Sequence, residues 1–171
     1  ACWEFIIPKY GADVANIGAM SFPKAVDVCL HRDLETCADF DAFFGTVKEE
    51  IRSQCDAICD NIKEFWFVPS PFMALFLTEK YHHFGIHGTG IATAADSLAA
   101  IRKYIFTEKS IGKQALIEAV DSDFATHEDI LPLLRYEAPK MGNNDDTVDS
   151  IAVELLDCFA ESLRGRRNCM G

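Results

Sequence analysis

One long apolar stripe constrains the fold of this chain more than any other feature. Apolar residues recur at intervals of three and four, and charged residues occupy the opposite face, which predicts a long amphipathic helix. Pro69 and Pro71 end this helix, because proline disfavours helical backbone in the residue before it. The stripe consists of Phe44, Val47, Ile51, Cys55, Ile58, Ile62 and Phe65.

Further helices are predicted by similar spacing and by capping signals. By pattern alone the chain is a mostly helical domain with few short strands, one of them in the segment that begins at Tyr81. The Thr126–Asp129 segment has the form of a capping box. The predicted helices are one that ends near His31, a long one that opens near Asp39, and others over 94–107, 113–122, from 126 to about 136, and 148–163.

Composition and charge exclude several classes of protein. With 171 residues, 49% of them apolar, the chain is long enough for one domain with a core and is not disordered. A net charge of −11 makes a nucleic-acid partner unfavourable, since phosphate binding needs clustered Lys and Arg. No apolar run approaches the roughly 20 residues that span a bilayer, and no signal peptide is visible. We therefore expect no membrane contact and a cytoplasmic location.

The cysteines indicate reduced thiols. There are seven, an odd number without the spacing of a disulfide framework. Cys29, Cys55, Cys59 and Cys158 lie in helical patterns and are predicted to fill the core. Cys2 differs, because it is close to a carboxylate and bulky apolar residues.

Four sequence blocks, in this order, are similar to the motifs of one enzyme superfamily. Cys2-Trp3-Glu4 is similar to its CxE loop, which carries a thiyl cysteine. The second block, 68–76, is similar to LPSPFLSLF, and the third, 90–101, to GxATxADSLAAI. The fourth, 138–149, resembles PKxGNxDxxVD, which precedes a radical-glycine domain. A lone CxE would carry no information, whereas four ordered blocks are specific. Together they resemble the glycyl radical enzymes of the pyruvate formate-lyase-like superfamily.

The resemblance implies a helix-rich α/β fold. Residues 1–171 are expected to form a single domain, a partial ten-stranded α/β barrel with strands near Trp3–Ile7 and Tyr81–Ile86. The Arg-x-Gly segment that carries the radical in the family is expected to follow this chain, so the fragment alone should be inactive. Two joints, 32–38 and 78–81, look shorter than in relatives, which predicts either genuine deletions or omitted loops.

The resemblance gives Cys2 and Glu4 the catalytic roles. A thiyl at Cys2 takes a hydrogen from substrate and later returns it, because the S–H bond is comparable in strength to activated C–H bonds. Glu4, two residues on, shares a face with Cys2 in extended backbone and would handle the proton. From composition alone, a buried core cysteine and a solvated glutamate are the simpler interpretations; the other blocks favour the active roles.

Substrate contacts are predicted in the histidine-rich segment that begins at Tyr81. Alternation places His83 and His87 on one face, and with Tyr81 and Trp3 they are the candidate substrate-binding residues. Glu79 is a weaker candidate. A satisfied core histidine is the structural alternative. No metal site is predicted, since no carboxylate or Cys completes a ligand set around these histidines.

The resemblance leaves three functions open. Cys2-Trp3-Glu4 with the Ile7-Pro8 continuation favours an arylacetate decarboxylase; the alternatives are a glycyl radical dehydratase or other lyase, and a non-catalytic helical interaction domain. No cofactor is expected to bind directly, because the glycyl radical is installed by a radical-SAM activating enzyme. The expected partners are a small-molecule substrate, that activase and, in the full-length protein, identical subunits.

Overall fold

The computed structural model describes residues 14–63 and 83–167. Its elements alternate between two strands and a set of helices, with α1 and α2 between the strands. No helix among these residues is long and apolar enough to cross a membrane. The elements are β1 Val14–Ser21, α1 Phe22–Arg32, α2 Phe40–Ile62, β2 His83–Thr89, α3 Ile91–Ile101, α4 Lys113–Asp121, α5 Ile130–Pro132 and α6 Asp146–Leu163.

The helix predictions are largely confirmed. Asp39 is the N-cap of α2, and its carboxylate accepts a hydrogen bond from Ala42 N at 2.8 Å. Asp145 caps α6 in the same way, accepting from Thr147 N at 2.9 Å. Most of the apolar stripe of each helix is buried, as its spacing predicts, but Leu156, which the spacing in α6 also predicted to face the core, is 44% exposed. The stripe residues Ile58, Ile62, Phe159 and Leu163 are half-buried.

Two helical segments are wound more loosely than predicted. Residues 102–107 and 133–137 are π-helices that continue α3 and α5. The capping box predicted at Thr126 is wrong. The Thr126 hydroxyl contacts Ser122 and His127, and α5 begins only at Ile130, without a side-chain cap.

The sequence predicted β2 but not β1, the strand with which β2 pairs. The two strands pair in parallel, from Val14 opposite His83 to Ser21 opposite Thr89. β1 contains one extra residue, Ile17, between the positions paired with Gly85 and Ile86. Such a bulge bends the strand and is common beside active sites. The strand expected near Trp3–Ile7 lies outside the described residues.

The helices pack into one apolar core behind the strand pair. α6 contacts α2 and α3, and α1 lies against α2 and α3. The largest fully buried side chains include Phe22, Phe43 and Leu155. No buried polar or charged residue occurs in the described part of this core, so apolar burial supplies its stabilisation.

The joint between α1 and α2 is a continuous hydrogen-bonded turn. Asp33 N donates to Cys29 O at 2.8 Å, and Cys37 N donates to Asp33 O at 3.2 Å. Leu34 is fully buried, which anchors the turn to the core. Omission of a loop here remains a prediction; the second joint, 78–81, lies outside the described residues.

Candidate active site

Both parallel strands lead directly into helices at the same edge of the pair. Ser21 ends β1 and caps α1, its hydroxyl accepting from Lys24 N at 3.3 Å. β2 is followed by Gly90, whose φ of +75° opens α3. A Cβ at Gly90 would lie 2.6 Å from Pro23 Cγ, so only glycine fits this joint. The carboxyl edge of the strand pair is therefore formed by two adjacent helix starts.

The two faces of the strand pair have different environments. A Cβ at Gly88 would lie 2.8 Å from Phe22 Cε2, and one at Gly18 would lie 2.8 Å from Ile58 Cγ2. These positions therefore face the helical core. Because side chains alternate along a strand, His87, adjacent to Gly88, faces the opposite side. We call this side the helix-free face, because neither of these two contacts with described helices lies on it. His87 is paired with Ala19, which is exposed.

His87 carries an unpaired buried nitrogen on that helix-free face. Its Nε2 is shielded from solvent, and it alone among the buried side-chain nitrogen and oxygen atoms of the described residues lacks a hydrogen-bond partner. Leaving such an atom unpaired costs about 1–3 kcal/mol. Native proteins keep few of these groups, and a ligand is one of the reasons for keeping one. This position is the best-defined polar feature of the face.

The other predicted site residues are only partly placed. His83 is the first residue of β2, paired with Val14 and four residues before His87 on the same strand. The predicted catalytic pair, Cys2 and Glu4, lies outside the described residues, as do Trp3, Tyr81 and Glu79. Their roles remain predictions.

The described thiols are poor nucleophiles. Five cysteines in this part of the chain are free and buried. Burial raises the pKa of Cys29 and of Cys55 to about 11, and it raises the pKa values of the other three as well. These thiols stay protonated at neutral pH and are structural. They are Cys29, Cys37, Cys55, Cys59 and Cys158, four of which were predicted to fill the core.

No metal centre is visible in the described segments. They contain no group of three His, Cys, Asp or Glu side chains close enough to hold an ion.

Two features of the site were not predicted. The first is β1 with its bulge. The available signal was Ser21 followed by Pro23, which is typical of a helix start, so the residues before Ser21 had to belong to a different element. The second is the burial of His87 Nε2, which depends on tertiary packing and leaves no signal in sequence.

The solved structures that this chain resembles include two dehydratases. The glycerol-bound form of the B12-independent glycerol dehydratase from Clostridium butyricum matches with a TM-score of 0.76 and 22% identity, over 93% of this chain and 24% of that chain. The hydroxyproline dehydratase from Clostridioides difficile matches with a TM-score of 0.76 and 24% identity, over 93% of this chain and 25% of that one. The helix-rich partial barrel fold is thereby confirmed.

The sequence relatives include a dehydratase and a sulfite-lyase. The trans-4-hydroxy-L-proline dehydratase of Clostridioides difficile is 26% identical over 188 residues, covering 90% of this chain and 24% of the relative. The isethionate sulfite-lyase of Desulfovibrio desulfuricans is 46% identical over 66 residues, 39% of this chain and 8% of the relative. This chain thus spans about a quarter or less of the length of these relatives. These relatives do not support the predicted relationship to arylacetate decarboxylases.

A protein-family model identifies the family of the chain. The model described as pyruvate formate lyase-like matches residues 67–171, more than half of the chain. The chain belongs to the pyruvate formate lyase-like family of glycyl radical enzymes.

Proposed function

We propose that the complete protein is a glycyl radical lyase that breaks a bond between carbon and a heteroatom, of the dehydratase type. The observation that carries this proposal is the relationship to the trans-4-hydroxy-L-proline dehydratase, which extends over 90% of the chain. A (2S)-3-sulfopropanediol dehydratase from Klebsiella oxytoca aligns with 81% of it. The sulfite-lyase breaks a carbon–sulfur bond, so the shared chemistry is loss of a leaving group beside a carbon radical.

The proposed reaction uses Cys2 and Glu4. A glycyl radical, which a radical-SAM activase would install, would take the hydrogen atom of the Cys2 thiol and so leave a thiyl at Cys2. The Cys2 thiyl takes a hydrogen atom from the substrate carbon beside the leaving group and becomes a thiol. The adjacent hydroxyl leaves as water with a proton from Glu4, and a heteroatom proton of the substrate restores Glu4. The product radical then takes the hydrogen atom back from Cys2.

His87 is the proposed polar contact to the substrate. Its buried Nε2 has no partner among the described residues, and it lies on the face of the strand pair opposite the contacts with Phe22 and Ile58. A substrate hydroxyl would satisfy this nitrogen, which recovers the cost of keeping it unpaired. His83 and Tyr81 are proposed as further contacts on the same segment.

The test uses the complete protein activated anaerobically by its radical-SAM enzyme. We expect water elimination from 4-hydroxyproline or small diols, or sulfite release from isethionate. Cys2→Ser should abolish turnover, because a hydroxyl has no comparably weak bond to hydrogen. Cys59→Ser is the matched control, since Cys59 is buried in α2, and it should retain turnover. Glu4→Gln should slow the reaction severely, because the amide cannot exchange the proton.

A separate arm of the same experiment tests the arylacetate decarboxylase hypothesis. It depends on Cys2-Trp3-Glu4 and the Ile7-Pro8 continuation. Release of carbon dioxide from 4-hydroxyphenylacetate or indoleacetate, without elimination from the diols, hydroxyproline or isethionate, would overturn the proposed lyase class. Full activity of Cys2→Ser would overturn the radical mechanism for both, and would favour the non-catalytic interpretation of this segment.

A further inference from the structure

Ala19 is the residue of β1 that lies directly opposite His87 in the strand pair. Its two neighbours on β1 face the helices: Met20 is buried in the core, and a Cβ at Gly18 would lie 2.8 Å from Ile58 Cγ2. Because side chains alternate along a strand, the methyl group of Ala19 lies on the helix-free face, which also carries His87. The two side chains are therefore neighbours, on strands about 4.8 Å apart.

The space beside the outer part of the His87 ring is not filled by its neighbour on β1. Ala19 ends at its Cβ, whereas the imidazole extends further from the strand, to Nε2. Ala19 is also exposed, so no described side chain buries it. Alternation places Gly85, which has no side chain, on the same face of β2. The unpaired nitrogen of His87 therefore adjoins two positions without bulk.

The hydroxyls of the next residue pair, Ser21 and Thr89, already make hydrogen bonds to the backbone. The Ser21 hydroxyl accepts from Lys24 N at 3.3 Å, and the Thr89 hydroxyl donates to the Met20 carbonyl at 3.3 Å. The Nε2 of His87 is the buried side-chain polar atom of the described strands that has no partner. A substrate hydroxyl at this nitrogen would bring the adjoining carbon atoms next to the small residues of the face.

We propose that Ala19 is a specificity-determining residue, which admits a ring or a branched carbon skeleton beside the substrate hydroxyl at His87. This inference rests on the proposed function, because it assumes that His87 binds that hydroxyl. A larger side chain at position 19 would occupy the same space, and a single methylene group in an apolar pocket changes discrimination by about 10–200-fold. An unbranched two-carbon substrate would leave the space unfilled, so the favoured substrates are cyclic or branched.

The experiment compares the binding of trans-4-hydroxy-L-proline and isethionate to the complete, unactivated protein by titration calorimetry. Both ligands carry a hydroxyl and an acidic group, and only the first contains a ring. We expect the wild type to bind hydroxyproline at least about tenfold more tightly than isethionate. Ala19→Leu should lower the affinity for hydroxyproline at least about tenfold and change the affinity for isethionate less than about twofold.

Three variants show whether the loss comes from lost space beside His87. Ala160→Leu is the matched control, because Ala160 is an exposed alanine of α6, a helix of the core layer, and it should leave both affinities unchanged. Ala19→Val adds less volume than Ala19→Leu and should give a smaller loss for hydroxyproline, which keeps the test valid if Ala19→Leu fails to fold. His87→Leu should weaken both ligands alike, since both lose the same polar contact.

Turnover by the activated protein separates this inference from the proposed function. Ala19→Leu should lower kcat/KM for hydroxyproline mainly by raising KM, because substrate binding is impaired and the proposed reacting groups are unchanged. If the wild type binds hydroxyproline without converting it, the proposed function fails, and a selective loss of binding in Ala19→Leu still supports the role of Ala19. Equal losses for both ligands in that variant, no loss for hydroxyproline, or tighter binding of isethionate by the wild type would each overturn the role of Ala19.

Discussion

The helical core and the helix-free face of the strand pair follow opposite rules. In the core, every described buried side chain is apolar. Its aromatic residues pack against one another, edge to face at Phe22 and Phe159 with ring centroids 5.8 Å apart, and stacked at Phe40 and Phe44 with centroids 5.5 Å apart. On the helix-free face, His87 keeps a buried nitrogen without a partner, and β1 is bulged at Ile17. The described core contains no buried polar residue, whereas the helix-free face contains a buried nitrogen that no described residue pairs with.

This difference separates stability from function within one small segment. Substitutions that open the core should lower the free energy of unfolding and affect activity only through folding. Substitutions on the helix-free face should change activity at little cost in stability. Comparing the free energy of unfolding with the turnover of each variant tests that separation. The free energy is measured by urea unfolding of the complete protein.

The largest stability effect is expected from Phe43→Ala in α2. Phe43 is fully buried, so truncation removes apolar burial and leaves a cavity, with an expected loss of about 3–5 kcal/mol. The control is Leu156→Ala on the exposed side of α6, where 44% of the residue is accessible and a loss below about 1 kcal/mol is expected. Similar losses in both variants would show that the core is not closed as described.

The second prediction concerns activity rather than stability. His87→Leu should lower turnover by about 100-fold, because the polar contact to substrate is lost. Its free energy of unfolding should be unchanged or slightly higher, since an unpaired buried nitrogen is replaced by carbon. His87→Gln retains a hydrogen-bonding group and should recover part of the turnover. A loss of stability above about 1 kcal/mol in His87→Leu would instead identify a structural histidine.

Sequence patterns predicted the helical core better than the strand pair, for a physical reason. The stripes of α2 and α6 and the caps at Asp39 and Asp145 are local signals, and local signals are visible in sequence. β1 contains Ala15, Gly18 and Ala19 in place of β-branched residues. Its strand conformation depends on pairing with β2, almost 70 residues later, which no local pattern records.

The π-helices were missed, and the capping box predicted at Thr126 was wrong, for a related reason. One π-helical turn barely changes the 3.6-residue spacing of apolar side chains along a helix. The spacing therefore predicted an α-helix at residues 102–107. Thr126 has the right residue type for a cap, but its hydroxyl contacts Ser122 at 2.8 Å instead. At the site, the sequence identified His87 as a candidate, and only the fold shows that its Nε2 is buried without a partner.

The third prediction compares two glycines, one at the site edge and one in the helical layer. Gly90→Ala places a Cβ 2.6 Å from Pro23 Cγ at a φ of +75°, so we expect a loss of about 2 kcal/mol. Gly45→Ala in α2 meets nothing within 4 Å, and it should gain about 0.5–1 kcal/mol because alanine favours helix. The opposite signs are the test; a gain at Gly90 would contradict the described joint between β2 and α3.

The smallest effect concerns His31 at the surface of the helical layer. Its ring contacts the Asp27 carbonyl at 2.7 Å and Asp121 Oδ1 at 2.9 Å, linking α1 to the end of α4. The Asp27 carbonyl, followed by the Asp121 carboxylate, raises the pKa of His31 above its ordinary value.

A raised pKa means that the folded chain binds the proton more tightly than the unfolded chain. The stabilisation is therefore complete below the unfolded pKa of about 6.5 and is lost as pH rises through the folded pKa. Because 38% of the His31 side chain is exposed, solvent screening limits the effect to about 0.5 kcal/mol. Unfolding of the wild type and of His31→Gln across this pH window should show their difference in stability shrinking as pH rises. Asp121→Asn should weaken the same pH dependence, and a difference that grows with pH would contradict the described contacts.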